Sequence, residues 1–160
     1  MRSRLPRFLE RPRIPGFDYT GALAYHITMV TVDRRRVLVE SLASELGIAL
    51  VETAAKTDFD VLVYCVMPDH LHALVVGTSE QSNLIRFMQR FKQLTAHSYK
   101  QRTGRALWQA SFHDHALRGD EGWREVAQYI LDNPVRAELV ESWDAWPYVG
   151  GSLVADEGRS

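Results

Sequence analysis

The sequence predicts an α+β domain: a ferredoxin-like βαββαβ antiparallel sheet with its two helices on one face, followed by a C-terminal helix. Three observations lead there. Two apolar runs, Val61–Met67 and Leu71–Val76, fold at Pro68-Asp69 and read as paired central strands. Helical periodicity covers 39–56 before that hairpin and 83–102 after it. Extended segments at 23–32 and 106–118 open and close the series.

A chain of 160 residues that is 46% hydrophobic supports one core, so 1–160 is expected to be a single domain, with a basic arm at 1–20 and a frayed tail at 152–160. The single cysteine, Cys65, lies inside an apolar run, which fits a reducing cytoplasm and excludes an internal disulfide. No apolar run approaches the length of a membrane span, and no secretory leader is expected. The net charge of −1 hides a blockwise pattern. Residues 1–36 carry +5, 37–81 carry −6, 82–118 carry +6 and 119–160 carry −6. Two basic blocks brought together would make a face for a polyanion, whereas pairing of basic with acidic blocks would consume them internally.

In order along the chain, Met1–Gly16 holds Arg2, Arg4, Arg7, Arg11 and Arg13 with three prolines, and reads as a solvated tail or a phosphate-contacting arm. Leu23–Val32, rich in β-branched and aromatic residues, is the first strand; Arg34, Arg35 and Arg36 follow it. His26 is expected to be a strand residue with a local hydrogen bond. Leu42, Leu46, Ala49, Leu50 and Thr53 recur at helical spacing through 39–56, with Glu40, Glu45 and Glu52 outside. Ser82 or Ser79 is the expected cap of the next helix, whose apolar stripe is Leu84, Phe87, Met88, Phe91, Leu94 and Thr95. Its other side carries Arg86, Arg90 and Lys92, either a solvated face or a phosphate-binding one. Gly104 stops it, and Trp108 and Phe112 in the following strand are core residues or base-stacking ones. A third helix begins at Trp123, buries Val126, Ala127, Ile130 and Leu131, and ends before Pro134, where a short helix over 134–140 is expected. Residues 143–151 wrap back.

The residues that carry chemistry are histidines and a tyrosine. His70 and His72 are two apart on a strand, so both side chains leave the same face, about 6.5 to 7 Å apart along the backbone, and can converge on a divalent ion. They can equally be ordinary polar residues at a strand end, because two ligands leave a site incomplete. His113 and His115 form a second, competing pair. Tyr129 and Asn133 lie one helical turn apart on one face and would supply a phenol and a carboxamide to the sheet face left free by the two helices.

Four segments in this order, Pro68-Asp-His-Leu-His72, Met88-Gln-Arg-Phe-Lys-Gln93, Leu107-Trp-Gln109 with Phe112–Arg118, and Tyr129-Ile-Leu-Asp-Asn-Pro-Val-Arg-Ala137, resemble the REP-associated tyrosine transposases. These are relatives of the single-tyrosine insertion-sequence transposases within the HUH (His-hydrophobe-His) endonucleases, and the resemblance runs from about Gly21 to Gly151. It implies that His70, His72 and Asn133 hold Mg²⁺ or Mn²⁺ and that Tyr129 is the nucleophile. It also implies that hairpin-forming single-stranded DNA is bound by the basic face and arm. Arg13, Arg34, Arg35, Arg36, Arg86, Arg90, Lys92, Arg118 and Arg136 are then the expected DNA contacts, with Trp108 and His115 beside them. His at position 113 departs from the aromatic residue common in that family and leaves the second pair ambiguous.

The chemistry is coherent. A phenol with a pKa near 10 needs its proton removed and an electrophilic phosphate to attack. A 5′-phosphotyrosine product would conserve the phosphodiester's energy, so no nucleotide cofactor is expected, and no phosphate-binding glycine loop occurs. Two imidazoles and an amide oxygen form a borderline donor set that should favour Mn²⁺ over Mg²⁺. A non-catalytic hairpin-binding protein and a water-using metallonuclease that recruits His113 and His115 are the alternatives. No obligatory protein partner and no membrane are expected, and the chain is a monomer or a homodimer.

Overall fold

A computed structural model describes residues 19–117 and 122–157. Strand β1 (Ala24–Val30) is followed by helix α1 (Glu40–Lys56), the hairpin β2 (Phe59–Met67) and β3 (His70–Gly77), helix α2 (Leu84–Thr103) and strand β4 (His113–Leu117). These make the expected βαββαβ series. Helices α3 (Trp123–Leu131) and α4 (Asn133–Arg136), a two-residue strand β5 (Val149–Gly150) and helix α5 (Ser152–Glu157) complete it. The sheet runs β4-β1-β3-β2-β5 with every neighbouring pair antiparallel. β3, which bears the paired histidines, is thus held between β1 and β2.

Alternation along the strands builds two cores, one on each face. Tyr25, Ile27 and Met29 of β1 and Leu71, Ala73 and Val75 of β3 face α1 and α2, meeting Leu46, Leu50, Phe87, Met88 and Phe91. The second face carries Val63, Cys65, Met67, Leu74 and Leu117, covered by Val126, Ala127, Ile130 and Leu131 of α3 with Leu153 and Val154 of α5. β2 serves both cores by a bulge. Its register passes from Val61↔Val75 to Val63↔Leu74, so Leu62 is the extra residue and Val63, Cys65 and Met67 turn to the second face.

Several expectations are corrected. The second sheet face is not left open, because its apolar side chains need a cover and α3 and α5 provide one. Residues 152–157 are helix and not a frayed tail, since Leu153 and Val154 find that apolar surface and Ser152 Oγ donates to Asp60 Oδ2 at 3.1 Å. Gly151 makes this return possible: its φ is 112°, and a Cβ there would stand 2.5 Å from the Leu62 carbonyl oxygen at the bulge. Asn83, not Ser82 or Ser79, caps α2, accepting from the Arg86 amide at 3.2 Å. Ser82 instead is buried, its hydroxyl donating to the Asp58 carbonyl at 2.5 Å and accepting from the Thr78 and Ser79 amides. Gly104 ends α2 as expected, with φ 72° and its amide on the Lys100 carbonyl at 2.7 Å. In the α2 stripe Leu94 is exposed and Tyr99 takes a buried place. The helix after Pro134 stops at Arg136, well short of residue 140, and Glu138 has a positive φ of 59°.

Candidate active site

Hydrogen bonding in the sheet decides which histidines meet. Thr28 of β1 stands opposite His72 and Val30 opposite His70; on the other side of β1, His26 stands opposite His115 and Thr28 opposite His113. Five of the six histidines therefore share the second sheet face. They do not form one cluster. His70 and His72 touch, with ring centroids 4.7 Å apart and planes at 86°. His26 joins diagonally, its Nε2 lying 3.2 Å from His72 Nδ1. His113 and His115 are on β4, two strand spacings or about 10 Å from β3, too far to ligate an ion held there.

Helix α3 brings the tyrosine. Its apolar residues pack on β2 and β3, and Asp132 keeps a near-helical backbone (φ −79°, ψ −2°), so Tyr129 and Asn133 stay on one side. The Tyr129 ring centroid is 6.3 Å from that of His26 and 6.4 Å from that of His72, edge-on to both. The Asn133 carboxamide donates through Nδ2 to His70 Nε2 at 3.0 Å. Arg136 lays its guanidinium carbon 3.7 Å above the centroid of the Tyr129 ring.

The imidazoles are prepared as neutral bases. Burial lowers the pKa of His72 well below 6.5, and nearby His26, His70 and Arg136 add to that. Burial also lowers His70, opposed by Asp69, and lowers His26 to about 3. Burial would raise the Asp69 carboxyl, yet its hydrogen bond and charge contact with His70 prevail and hold it down. The Tyr129 phenol is pushed up by burial while Arg136 pulls the other way.

This donor set fits a divalent ion of modest affinity. Asp69 Oδ1 takes His70 Nδ1 at 2.6 Å, which leaves Nε2 as the lone-pair nitrogen pointing at Asn133. A flip of the Asn133 carboxamide exchanges its donor for an acceptor oxygen at the same place. Among the described residues no group of three or more His, Cys, Asp or Glu side chains is arranged to hold a metal, so an ion here would depend on Asn133 and on oxygens from a substrate.

Other expected contacts separate by position. Arg34 approaches Asp69 at 3.9 Å at the rim of the site, and Arg36 is exposed. Arg35 is occupied internally, donating to the carbonyls of Val32 and Ala106. Arg86 and Arg90 lie across the sheet from the histidines, lining with Lys56, Gln89 and Gln93 an open polar groove of about 490 Å³. Lys92 donates to the Ala110 carbonyl at 2.6 Å. Trp108 does not offer a base-stacking surface: it is buried against Phe91, and its indole N–H donates to Thr95 Oγ1 at 2.9 Å. Its apolar area is consumed by the first core. Arg13 and Arg118 lie outside the described residues. Sequence reasoning missed Asp69 and Thr28 as partners of His70 and His72; the signal for Thr28 was its place in the alternation with His26 on β1.

Paired strand imidazoles with a helix-borne phenol beside them stand on a ferredoxin-like sheet. The chain belongs to the IS200-like transposase family, whose sequence profile matches residues 19–133. It is 27% identical over 143 residues to a Haemophilus influenzae protein provisionally named a REP-associated tyrosine transposase, spanning 82% of this chain and 81% of that one. It is 23% identical over 130 residues to the REP-associated tyrosine transposase of Escherichia coli, spanning 81% and 77%. The fold matches the solved structure of a REP-associated tyrosine transposase bound to a REP hairpin, with a TM-score of 0.76 at 21% identity over 93% of this chain and 87% of that one. Among the described residues no helix is long and apolar enough to cross a membrane.

Proposed function

We propose that this transposase cleaves and rejoins single-stranded DNA that folds into a hairpin, with Tyr129 as nucleophile and His70, His72 and Asn133 holding Mg²⁺ or Mn²⁺. The observation that carries the reading is that one stretch of chain, the end of α3 and the start of α4, brings both missing parts to the histidines: Tyr129 stands edge-on to His72, and Asn133, four residues on, touches His70. The hairpin substrate is taken from the likeness to a transposase solved with a REP hairpin.

In the proposed step the Tyr129 oxygen forms a bond to the phosphorus as the bond from phosphorus to the 3′ oxygen breaks. The phenolic proton passes through solvent to the departing oxygen, leaving a 5′-phosphotyrosine and a 3′-hydroxyl. When bound, the divalent ion supplies Lewis-acid stabilisation of the phosphate oxygens. Arg136, stacked on the phenol, fixes the ring and places positive charge where the attacking oxygen loses its proton. Rejoining is the reverse attack by a 3′-hydroxyl and needs no nucleotide.

Incubating the protein with hairpin-bearing single-stranded DNA and Mn²⁺ should trap a covalent adduct that survives denaturing electrophoresis. Tyr129→Phe should give none. His70→Ala with His72→Ala should lose the adduct and keep most DNA binding, since charge contacts dominate affinity. Normal adduct formation by a folded Tyr129→Phe protein refutes the role of Tyr129. Tight, salt-sensitive binding by the wild type with no adduct under any metal selects the non-catalytic binder.

A further inference from the structure

β1 contributes to the site although it supplies no ligand. His72 is buried, and the hydrogen-bonding contacts to its ring fall on one nitrogen: Thr28 Oγ1 is 2.9 Å from Nδ1, and His26 Nε2 is 3.2 Å from the same atom. The other ligand histidine is held in the same manner, with Asp69 on Nδ1 of His70. A neutral imidazole carries one hydrogen, so whichever nitrogen holds it cannot ligate. A protein acceptor on Nδ1 keeps the hydrogen there and leaves the lone pair on Nε2.

For His70 that acceptor is a carboxylate, and its direction is fixed. For His72 it is a hydroxyl, which can accept from Nδ1 or donate to it. Ligation through Nε2, the ring nitrogen turned away from both neighbours, needs the hydrogen on Nδ1, and that makes the hydroxyl the acceptor. His26 Nε2 lies beside the same Nδ1, and if Nδ1 carries the hydrogen both neighbours can accept from it in a three-centre bond. Register makes the arrangement a property of the sheet, since Thr28 and His72 are directly paired across the β1–β3 ladder.

We infer that Thr28 is a positioning residue, whose hydroxyl holds the hydrogen of His72 on Nδ1 and turns its Nε2 lone pair toward the metal position. His26 backs the same nitrogen from the longer distance and is the lesser partner. This inference rests on the proposed metal site, and its test is built so that the two can fail separately.

Two readouts on the full chain are used. The first needs no metal: long-range nitrogen–proton correlation spectra of the metal-free protein report which nitrogen of His72 is protonated. The wild type should show protonated Nδ1, Thr28→Val should shift His72 toward the Nε2–H form, and Thr28→Ser should restore the wild-type pattern. The second is Mn²⁺ affinity, from the resonance of free Mn²⁺ in titrations. Thr28→Val, matched in shape, should weaken binding by about 10- to 100-fold, the range for loss of a ligand's outer partner, and Thr28→Ser should recover it. An unchanged His72 tautomer in Thr28→Val overturns the inference, as does a Thr28→Ser protein that loses Mn²⁺ as fully as Thr28→Val, which would assign the effect to the methyl group. Wild-type Mn²⁺ binding that is indifferent to His70→Ala and His72→Ala overturns the metal site itself, while the tautomer spectra still decide the role of Thr28.

Discussion

Acid should weaken this protein through the same histidines that make its site. His26 is 2% exposed, and burial holds its pKa at about 3 against 6.5 in the unfolded chain. A histidine whose folded pKa is depressed is protonated sooner in the unfolded state, so stability is full above pH 6.5 and falls as pH drops toward 3. Lowering from 6.5 to about 3 corresponds to about 5 kcal/mol over the whole window. Between pH 7 and pH 5, which spans the start of that window, His26 alone should cost about 2 kcal/mol. His70 and His72 are lowered as well and add in the same direction. Urea unfolding of the metal-free protein at the two pH values measures the total, and His26→Gln isolates the share of His26. The expected result is a loss in the wild type that exceeds the loss in His26→Gln by about 2 kcal/mol. Equal losses in the two proteins would refute the assignment of a buried, neutral His26.

Three other outcomes follow from the packing and the site. Trp108→Leu should cost roughly 3 kcal/mol in urea unfolding, through lost core volume and the lost bond to Thr95, while hairpin DNA affinity measured by anisotropy on the folded protein stays within about twofold. Ile130→Ala should cost about 2 to 5 kcal/mol and depress adduct yield more than DNA affinity, because Ile130, next to Tyr129 on α3, is fully buried in the second core and anchors that helix. Arg136→Gln should slow adduct formation at pH 7 and move its pH profile to the alkaline side, since Arg136 is what opposes the upward push of burial on the phenol; an unmoved profile assigns Arg136 to packing alone.

How much of this was legible in the sequence depends on the range of the interaction involved. The hairpin of β2 and β3, the span of α1 and α2, the stop at Gly104 and the shared face of His70 and His72 are local, set by periodicity and turn chemistry, and they stand where the pattern put them. Tyr129 and Asn133 were readable as one helix face for the same reason. What the pattern could not contain was cross-chain demand. The bulge at Leu62 turns Val63, Cys65 and Met67 to the second face, and only then does that face need the cover that makes Leu153 and Val154 a helix. Trp108 was ambiguous as a lone aromatic and became a core residue through Thr95, thirteen positions away on another element. Thr28 shared the alternation of His26, but its pairing with His72, 44 residues distant, was not contained in that pattern.

The division of labour in the site follows from where rigidity is available. Both imidazoles sit on β3, bonded to strands on either side, so their spacing is fixed by backbone that cannot shift without breaking two ladders. The phenol is placed differently. It rides on a nine-residue helix held by four buried side chains, and the near-helical turn at Asp132 carries Asn133, the first residue of α4, to His70. A displacement of α3 and the turn after it would therefore move Tyr129 away from His72 and Asn133 away from His70 together, so that under the proposed mechanism the ion and the attacking phenol would be positioned in the same state or lost in the same state. Under the proposed mechanism, coupling of that kind would keep the phenol from attacking a strand while the metal site is incomplete.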